Sequence, residues 1–293
     1  MLKFRNYVKV ETREEYEKTI AAIDGSVKLL AGGSDLLVQA REDDRFKDCT
    51  IVDIFGIEEL HTIKETDDHL IIGACASHEA IAKSPLILSY APILAEAALS
   101  VGSLQIRNHS SIGGNIINAS PAADTLAPLA ILYAELIILK NGVENIVSLS
   151  DIFEGPYKTT LEDRDLLLSI KIPKLSSNVQ YNYTKVGRRK ALAISRMTIA
   201  TLLETDIDGI VTRFDMTVGA TFPTPMRFSD ISEMLVGKRP TNEDIREVAA
   251  ALSAKIPEIA GIRASTQYKQ PVCRRLCERI LQELIGDEYY EQN

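Results

Sequence analysis

Tryptophan is absent from the chain, and cysteine and histidine occur only four times each. Cys49, Cys75, Cys273 and Cys277 are too few and too scattered for a disulfide framework, and they suit reduced thiols. Cys273 and Cys277 have the spacing of one helix face, but two sulfurs with no neighbouring ligand do not complete a metal site. A structural role is expected for both. His61, His69, His78 and His109 are dispersed, which leaves no Ser/His/Asp or Cys/His set to defend, and each is expected at the surface. Long apolar runs are also missing, since no stretch approaches the ~20 residues that cross a bilayer. Residues 1–6 lack the apolar segment of a secretory leader, so the cytoplasm is the expected compartment. Basic charge is in deficit: 33 Lys and Arg face 41 Asp and Glu, a formal net charge of −8. That balance argues against a general affinity for nucleic acid or anionic membranes.

What is present is an ordinary globular composition, 45% hydrophobic and 25% charged, in 293 residues. That length calls for more than one core. The first unit, 1–56, alternates strands at 7–10, 27–31 and 50–54 with a helix at 13–23 and a helix start at 34–40, an α/β rhythm. Thr12 with Glu15 three residues on reads as a capping box. The second unit, 57–174, has strands at 69–74 and 166–173, a helix at 78–82 capped by Ser77, and an alanine-rich helix at 91–100. Its stretch 105–121 is turn-rich and expected to be irregular, and 130–140 is strongly apolar. A polar linker at 174–178 leads to a third unit, 179–288. There strands at 179–185, 199–205, 209–214 and 216–220 precede helices at 242–254 and 271–285, the last closed by Gly286.

Two segments carry the functional signal. In the first, Leu29, Leu30 and Ala31 run as a strand into Gly32, Gly33, Ser34, Asp35 and Leu36. Glycines at such a junction let the backbone approach a ligand and leave N–H groups for phosphate oxygens. The spacing matches neither Gly-x-Gly-x-x-Gly nor the P-loop. In the second, Ser111, Ile112, Gly113, Gly114, Asn115, Ile117 and Asn118 lead to Ala119-Ser120-Pro121 and Asp124, with short polar side chains and a single formal charge. Amides and hydroxyls of this kind can wrap a pyrophosphate, while Asp124 can accept from a ribose or ring hydroxyl. A strand–turn–helix junction and a surface loop are the bland alternatives for either segment alone.

Taken together, Ala31-Gly32-Gly33-Ser34-Asp35, Gln105-Ile106-Arg107-Asn108 and Ser111-Ile112-Gly113-Gly114-Asn115 resemble the FAD-binding subunit of the xanthine dehydrogenase and carbon monoxide dehydrogenase family. Lys185-Val186-Gly187-Arg188-Arg189, Ala193-Ile194-Ser195-Arg196 and Gly219-Ala220 with Pro225-Met226-Arg227 extend the resemblance to the C-terminal third. The resemblance implies an α+β chain: a vanillyl-alcohol-oxidase-type FAD-binding domain of two α/β subdomains, then an α+β domain like that of carbon monoxide dehydrogenase flavoproteins. FAD is the implied cofactor. Residues 29–36 would line its adenosine diphosphate part, and Ser111, Ile112, Gly113, Gly114, Asn115, Ile117 and Asn118 would grip the pyrophosphate and ribityl groups with Asp124 nearby. Val101 joins this cofactor-binding set, and Leu167 and Lys185 would reach the isoalloxazine end. A cation at Lys185 would favour the anionic reduced ring.

The resemblance further implies partners: a molybdopterin-binding large subunit and a small subunit with [2Fe-2S] clusters, with NAD⁺ or another acceptor. No catalytic residue and no metal ligand is expected in this chain. The cysteines do not supply the four ligands of the relatives that carry an extra iron–sulfur cluster. Around Arg188, Arg189 and Lys190 an acceptor or partner contact and a solvated turn both stand. The wording near Lys185 leans toward xanthine or another purine as the holoenzyme's substrate. A self-contained flavin oxidase of the same fold and a non-catalytic scaffold are the alternative readings.

Overall fold

Strand β1 (Asn6–Lys9), helix α1 (Arg13–Ala22), β2 (Val27–Leu30), α2 (Leu36–Glu42) and β3 (Thr50–Asp53) open the chain in the computed structural model, which describes residues 4–189 and 191–286. The three strands pair in parallel in the order β1-β3-β2, as helical crossovers require. Thr12 accepts from the Glu15 amide at the start of α1, but the Glu15 carboxylate reaches the Glu11 amide one residue outside the expected box. The other end of α1 is held from a distance. Arg164 donates to the carbonyls of Ile20, Ile23 and Gly25, which satisfies acceptors that a helix end leaves open.

The next stretch holds β4 (Ile63–Glu65), β5 (His69–Gly73), α3 (His78–Lys83), α4 (Pro85–Tyr90), α5 (Pro92–Leu99), α6 (Leu104–His109), α7 (Ile112–Ile117) and α8 (Leu126–Ile131). It continues with β6 (Glu135–Lys140), β7 (Val143–Ser148), the small hairpin β8 (Phe153–Gly155) and β9 (Lys158–Thr159), and β10 (Leu166–Pro173). The antiparallel sheet runs β4-β5-β10-β6-β7. Its central strand β10 is buried on both sides. Leu166 and Leu168 enter the core shared with the first unit, while Leu167, Ile170 and Ile172 face the helices α3 to α8. Simple alternation would put Leu167 and Ile170 on opposite faces; a bulge between Leu167 and Ser169 restores them to one.

The chain ends with β11 (Gln180–Gly187), β12 (Ser195–Thr205), β13 (Val211–Gly219), a turn of helix α9 (Ser229–Ser232), α10 (Asn242–Ala260) and α11 (Ala264–Ile285). The three strands pair antiparallel in chain order. Met197, Ile199 and Leu203 of β12 pack under α10 and α11, whereas Ala200 and Leu202 enter the core of the second unit. The last sheet is therefore the shared wall of two cores. Cys273 and Cys277 lie wholly inside the C-terminal one, their sulfurs 3.8 Å apart on one face of α11.

Four sequence expectations change. Stretch 105–121 is not irregular: it holds α6 and α7, whose first turns close because the Ser103 hydroxyl accepts from the Ile106 amide and Ser111 from Gly114. The expected strands 209–214 and 216–220 are one, β13, because Asp215 between them is buried and paired with Arg213 rather than turned to solvent. Helix α10 passes through Pro257 to Ala260, and α11 begins at Ala264, ahead of Pro271, where the Arg263 amide donates to the Thr266 hydroxyl. His78, expected at the surface, is wholly buried. Lys190 and residues 287–288, named in the sequence expectations, lie outside the described residues.

The shared wall generates a test. Leu202→Ala should cost about 2–5 kcal/mol by leaving a cavity in the second unit's core. Urea unfolding followed by far-ultraviolet circular dichroism measures it.

Candidate functional site

The two glycine segments meet main chain to main chain. A methyl group added at Gly32 would stand 1.8 Å from the carbonyl oxygen of His109, so only glycine lets β2's exit lie against the end of α6. Gly33 follows at φ +71°, a left-handed turn suited to glycine. Through this stretch no backbone N–H from Ala31 to Leu36 donates to another group among the described residues. A row of unpartnered amides beside a close backbone contact is a nest for anionic oxygens. Asp35 is tied to the second segment by the Asn118 side-chain amide at 3.1 Å, and Ser34 donates to Asp35.

The second segment is built differently. The Ile112 and Gly113 amides at the start of α7 donate to Ala76 and Ala74 carbonyls at 3.0 and 2.8 Å, and Gly114 donates to its own cap, Ser111. These amides serve the fold. A side chain at Gly113 would run into Ala74, whereas one at Gly114 would meet only the Ser111 hydroxyl at 2.8 Å. Gly114 itself is exposed, so the surface it offers is open to a ligand. Asn115 accepts from Thr125 at 2.6 Å, and apolar Leu104, Ile106 and Ile117 of α6 and α7 face solvent. Past α7, Ala119 sits at φ +48° and its carbonyl accepts from Tyr157, itself at φ +59° on the β8–β9 hairpin.

Asp124 closes the segment, buried and gripped by the C-terminal sheet. Lys185 of β11 donates to its Oδ2 at 2.6 Å and to the Ser100 carbonyl at 2.8 Å. Ser195 of β12 donates to Oδ1 at 2.5 Å, and the Tyr183 hydroxyl reaches the Asp124 carbonyl at 3.3 Å. Burial pushes the Asp124 carboxyl up, while Lys185, Ser195 and Tyr183 pull it back down. Burial likewise drives the Tyr183 phenol well above its ordinary range, with the Asp124 charge adding to it.

The structure thus brings Gly32, Gly33, Ser34, Asp35 and Asn118 together in one cluster and Asp124, Lys185 and Ser100 in a second. Val101 lies next to that second cluster, its carbonyl held by Arg107, whose Nε also pairs with Glu79 at 2.8 Å. Leu30 and Leu167 are core side chains; what they can offer a cofactor is main chain. Ser100, Tyr183 and Tyr157 have no mark in the sequence, and Arg107 and Ser195 stand there only as parts of motifs. No local signal marks residues whose partners lie many positions away along the chain.

Family comparison fits this donor set. Residues 2–175 match the FAD binding domain in molybdopterin dehydrogenase, and residues 182–284 match the carbon monoxide dehydrogenase flavoprotein C-terminal domain. The chain belongs to the FAD-binding subunits of the molybdopterin dehydrogenases. FAD is its cofactor, and it is part of an oxidoreductase. It is 30% identical to the nicotinate dehydrogenase FAD-subunit of Eubacterium barkeri over 88% of this chain and 89% of that one. It is 27% identical to a putative xanthine dehydrogenase FAD-binding subunit of Escherichia coli, covering 98% of each. In fold it superimposes on a chain of the carbon monoxide dehydrogenase of Hydrogenophaga pseudoflava with a TM-score of 0.87, 24% identity and 97% and 98% coverage. Among the described residues no helix is long and apolar enough to cross a membrane, and no three His, Cys, Asp or Glu side chains come together as a metal site would need.

Two outcomes follow from this geometry. Gly32→Ala should force the two segments apart and weaken FAD binding at least ~tenfold, whereas Gly155→Ala, with open space around it, should leave binding unchanged. Fluorescence titration with FAD reads both. His78 sets a pH dependence: burial lowers its pKa against a hydrogen bond with the Ser110 backbone that raises it, the nearby Arg107 adds to the lowering, and its Nε2 has no partner among the described residues. Below the ordinary value of about 6.5 the unfolded chain then binds more protons than the folded one, so stability falls as pH falls. Melting temperature should drop from about pH 7 to 5.5, and His78→Gln should flatten that slope.

Proposed function

We propose that this subunit takes electrons from the [2Fe-2S] clusters of a small partner subunit and passes them through FAD to NAD⁺ or another acceptor. A large partner subunit carrying molybdopterin would oxidise the organic substrate. FAD supplies the exchange of electrons between one-electron clusters and a two-electron acceptor. The chain's own work is to hold and tune that group. Residues 29–36 would take the adenosine diphosphate part with their unpartnered amides, and this row of free donors carries the reading. Ser111, Ile112, Gly113, Gly114, Asn115, Ile117 and Asn118 would bound the pyrophosphate and ribityl part. Val101, Asp124, Leu167 and Lys185 would frame the ring end. With a first unit at 1–56, a second at 57–174 and a C-terminal unit at 179–288, the cofactor would lie between the first two and the third would close the ring end.

The relatives named above, at 24–30% identity, belong to a nicotinate dehydrogenase, a putative xanthine dehydrogenase and a carbon monoxide dehydrogenase. A purine substrate remains a proposal drawn from the wording near Lys185, and it concerns the large subunit. Purification with the native partner subunits tests the assembly: the complex should show flavin and iron–sulfur absorption and reduce NAD⁺ when given substrate. For this chain alone, reconstitution should give one FAD per chain and a flavin spectrum. Absence of flavin absorption after reconstitution would sink the reading. Gly114→Val should remove FAD, because its side chain would occupy the exposed approach to the second segment.

A further inference from the structure

The strand that supplies Ser195 is irregular at that residue. Gly187 of β11 pairs with Ser195 of β12, and the next pair is Val186 with Met197, so Arg196 is an extra residue in β12. Met197 points into the C-terminal core. In a regular strand Ser195, two residues before it, would point there as well. The bulge turns Ser195 the other way, onto Asp124, and sends Arg196 to the surface over the Tyr268 ring. Bulges are a means of aiming one side chain. Here the chain departs from regular pairing, and the buried hydroxyl that results donates to a buried carboxylate belonging to another unit.

Around Asp124 the charged and titratable groups are few. Lys185 and Tyr183 come from β11, and Glu96 of α5 stands behind Tyr183; α8 offers only apolar residues, and β12 offers Ser195. Among the described residues Oδ2 is held by Lys185 alone, while Oδ1 is held by Ser195 at 2.5 Å, with Tyr183 at 3.5 Å. Ser195 is therefore the strong restraint that keeps the carboxylate from turning both oxygens to Lys185. A carboxylate shared in this way leaves part of the lysine's charge available to whatever lies beside it.

We propose that Ser195 is a positioning residue for the flavin: through Asp124 it sets how much of the Lys185 charge reaches the ring end, and so sets the flavin's potential. This rests on the reading above that places the ring end of FAD beside Lys185. It also makes the seating of the C-terminal sheet on the second unit an element of electron transfer, because Ser195 and Asp124 belong to opposite sides of that junction.

Ser195→Ala, Ser195→Cys and Ser195→Thr in the full chain test it, each reconstituted with FAD and titrated at constant pH for the two-electron potential. Ser195→Ala should bind oxidised FAD as the wild type does, while its reduced-to-oxidised affinity ratio falls about tenfold. That is a shift of about 30 mV toward negative potential. Ser195→Thr keeps the donor and should restore the wild-type potential, and Ser195→Cys, a weak donor of similar size, should fall between. An unchanged potential in a Ser195→Ala protein that holds FAD overturns the inference while leaving the FAD site intact. Failure of all three variants to fold also overturns it, since the residue would then be structural. A wild-type chain that takes up no FAD instead overturns the reading on which the inference rests.

Discussion

Everything where the two glycine segments meet depends on the close approach of two backbones at Gly32. Hydrogen in place of a β-carbon there lets the exit of β2 lie against the His109 carbonyl. From that contact the rest follows. Among the described residues the Ala31–Leu36 amides are left without acceptors, α7 is anchored to Ala74 and Ala76, and Asn118 reaches back to Asp35. Close packing also explains the division of labour between the segments. Amides of the second are spent on the fold, so free donors concentrate in the first.

Around Asp124 the constraint is electrostatic. Two carboxylates, Asp124 and Asp215, are buried where the C-terminal sheet meets the second unit. Each is answered by a cation and by hydroxyls: Lys185, Ser195 and Tyr183 for the first, Arg213, Tyr133 and Ser232 for the second. Desolvation makes such pairs poor sources of net stability, but breaking one is costly because it strands a buried charge. They therefore specify one seating of the sheet. Arg227 stacks 3.9 Å over Tyr133 and adds a further contact at the same seam. Apolar burial does the bulk work there, through Ala200 and Leu202.

Much of the fold was legible locally. Caps at Thr12 and Ser77, the proline ending β10 and the glycine after α11 are signals between near neighbours, and the element ends they mark stand close to where they are expected. Stretch 105–121 was misread because its glycines and asparagines suggest turns, whereas Ser103 and Ser111 cap two short helices that neighbouring segments then pin. The expected strands 209–214 and 216–220 leave Asp215 between them, whereas β13 runs through it, because its hydroxyl partners Tyr133 and Ser232 come from elsewhere in the fold and let a carboxylate sit buried in the strand. The β-bulges in β10 and β12 leave no local mark at all.

By itself the sequence determined the glycine segments, their wording and hence the family and cofactor, because a backbone that must come close to other main chain restricts residue type at each position. It also determined the order of elements, through periodicity and capping. Tertiary structure alone decided which amides remain free, that Asp124 and Lys185 form a buried pair, and that Ser195 is turned toward them. The physical reason is separation along the chain. A donor is free or engaged only with respect to partners many residues away, and strand pairing, not composition, brings those partners within hydrogen-bonding distance.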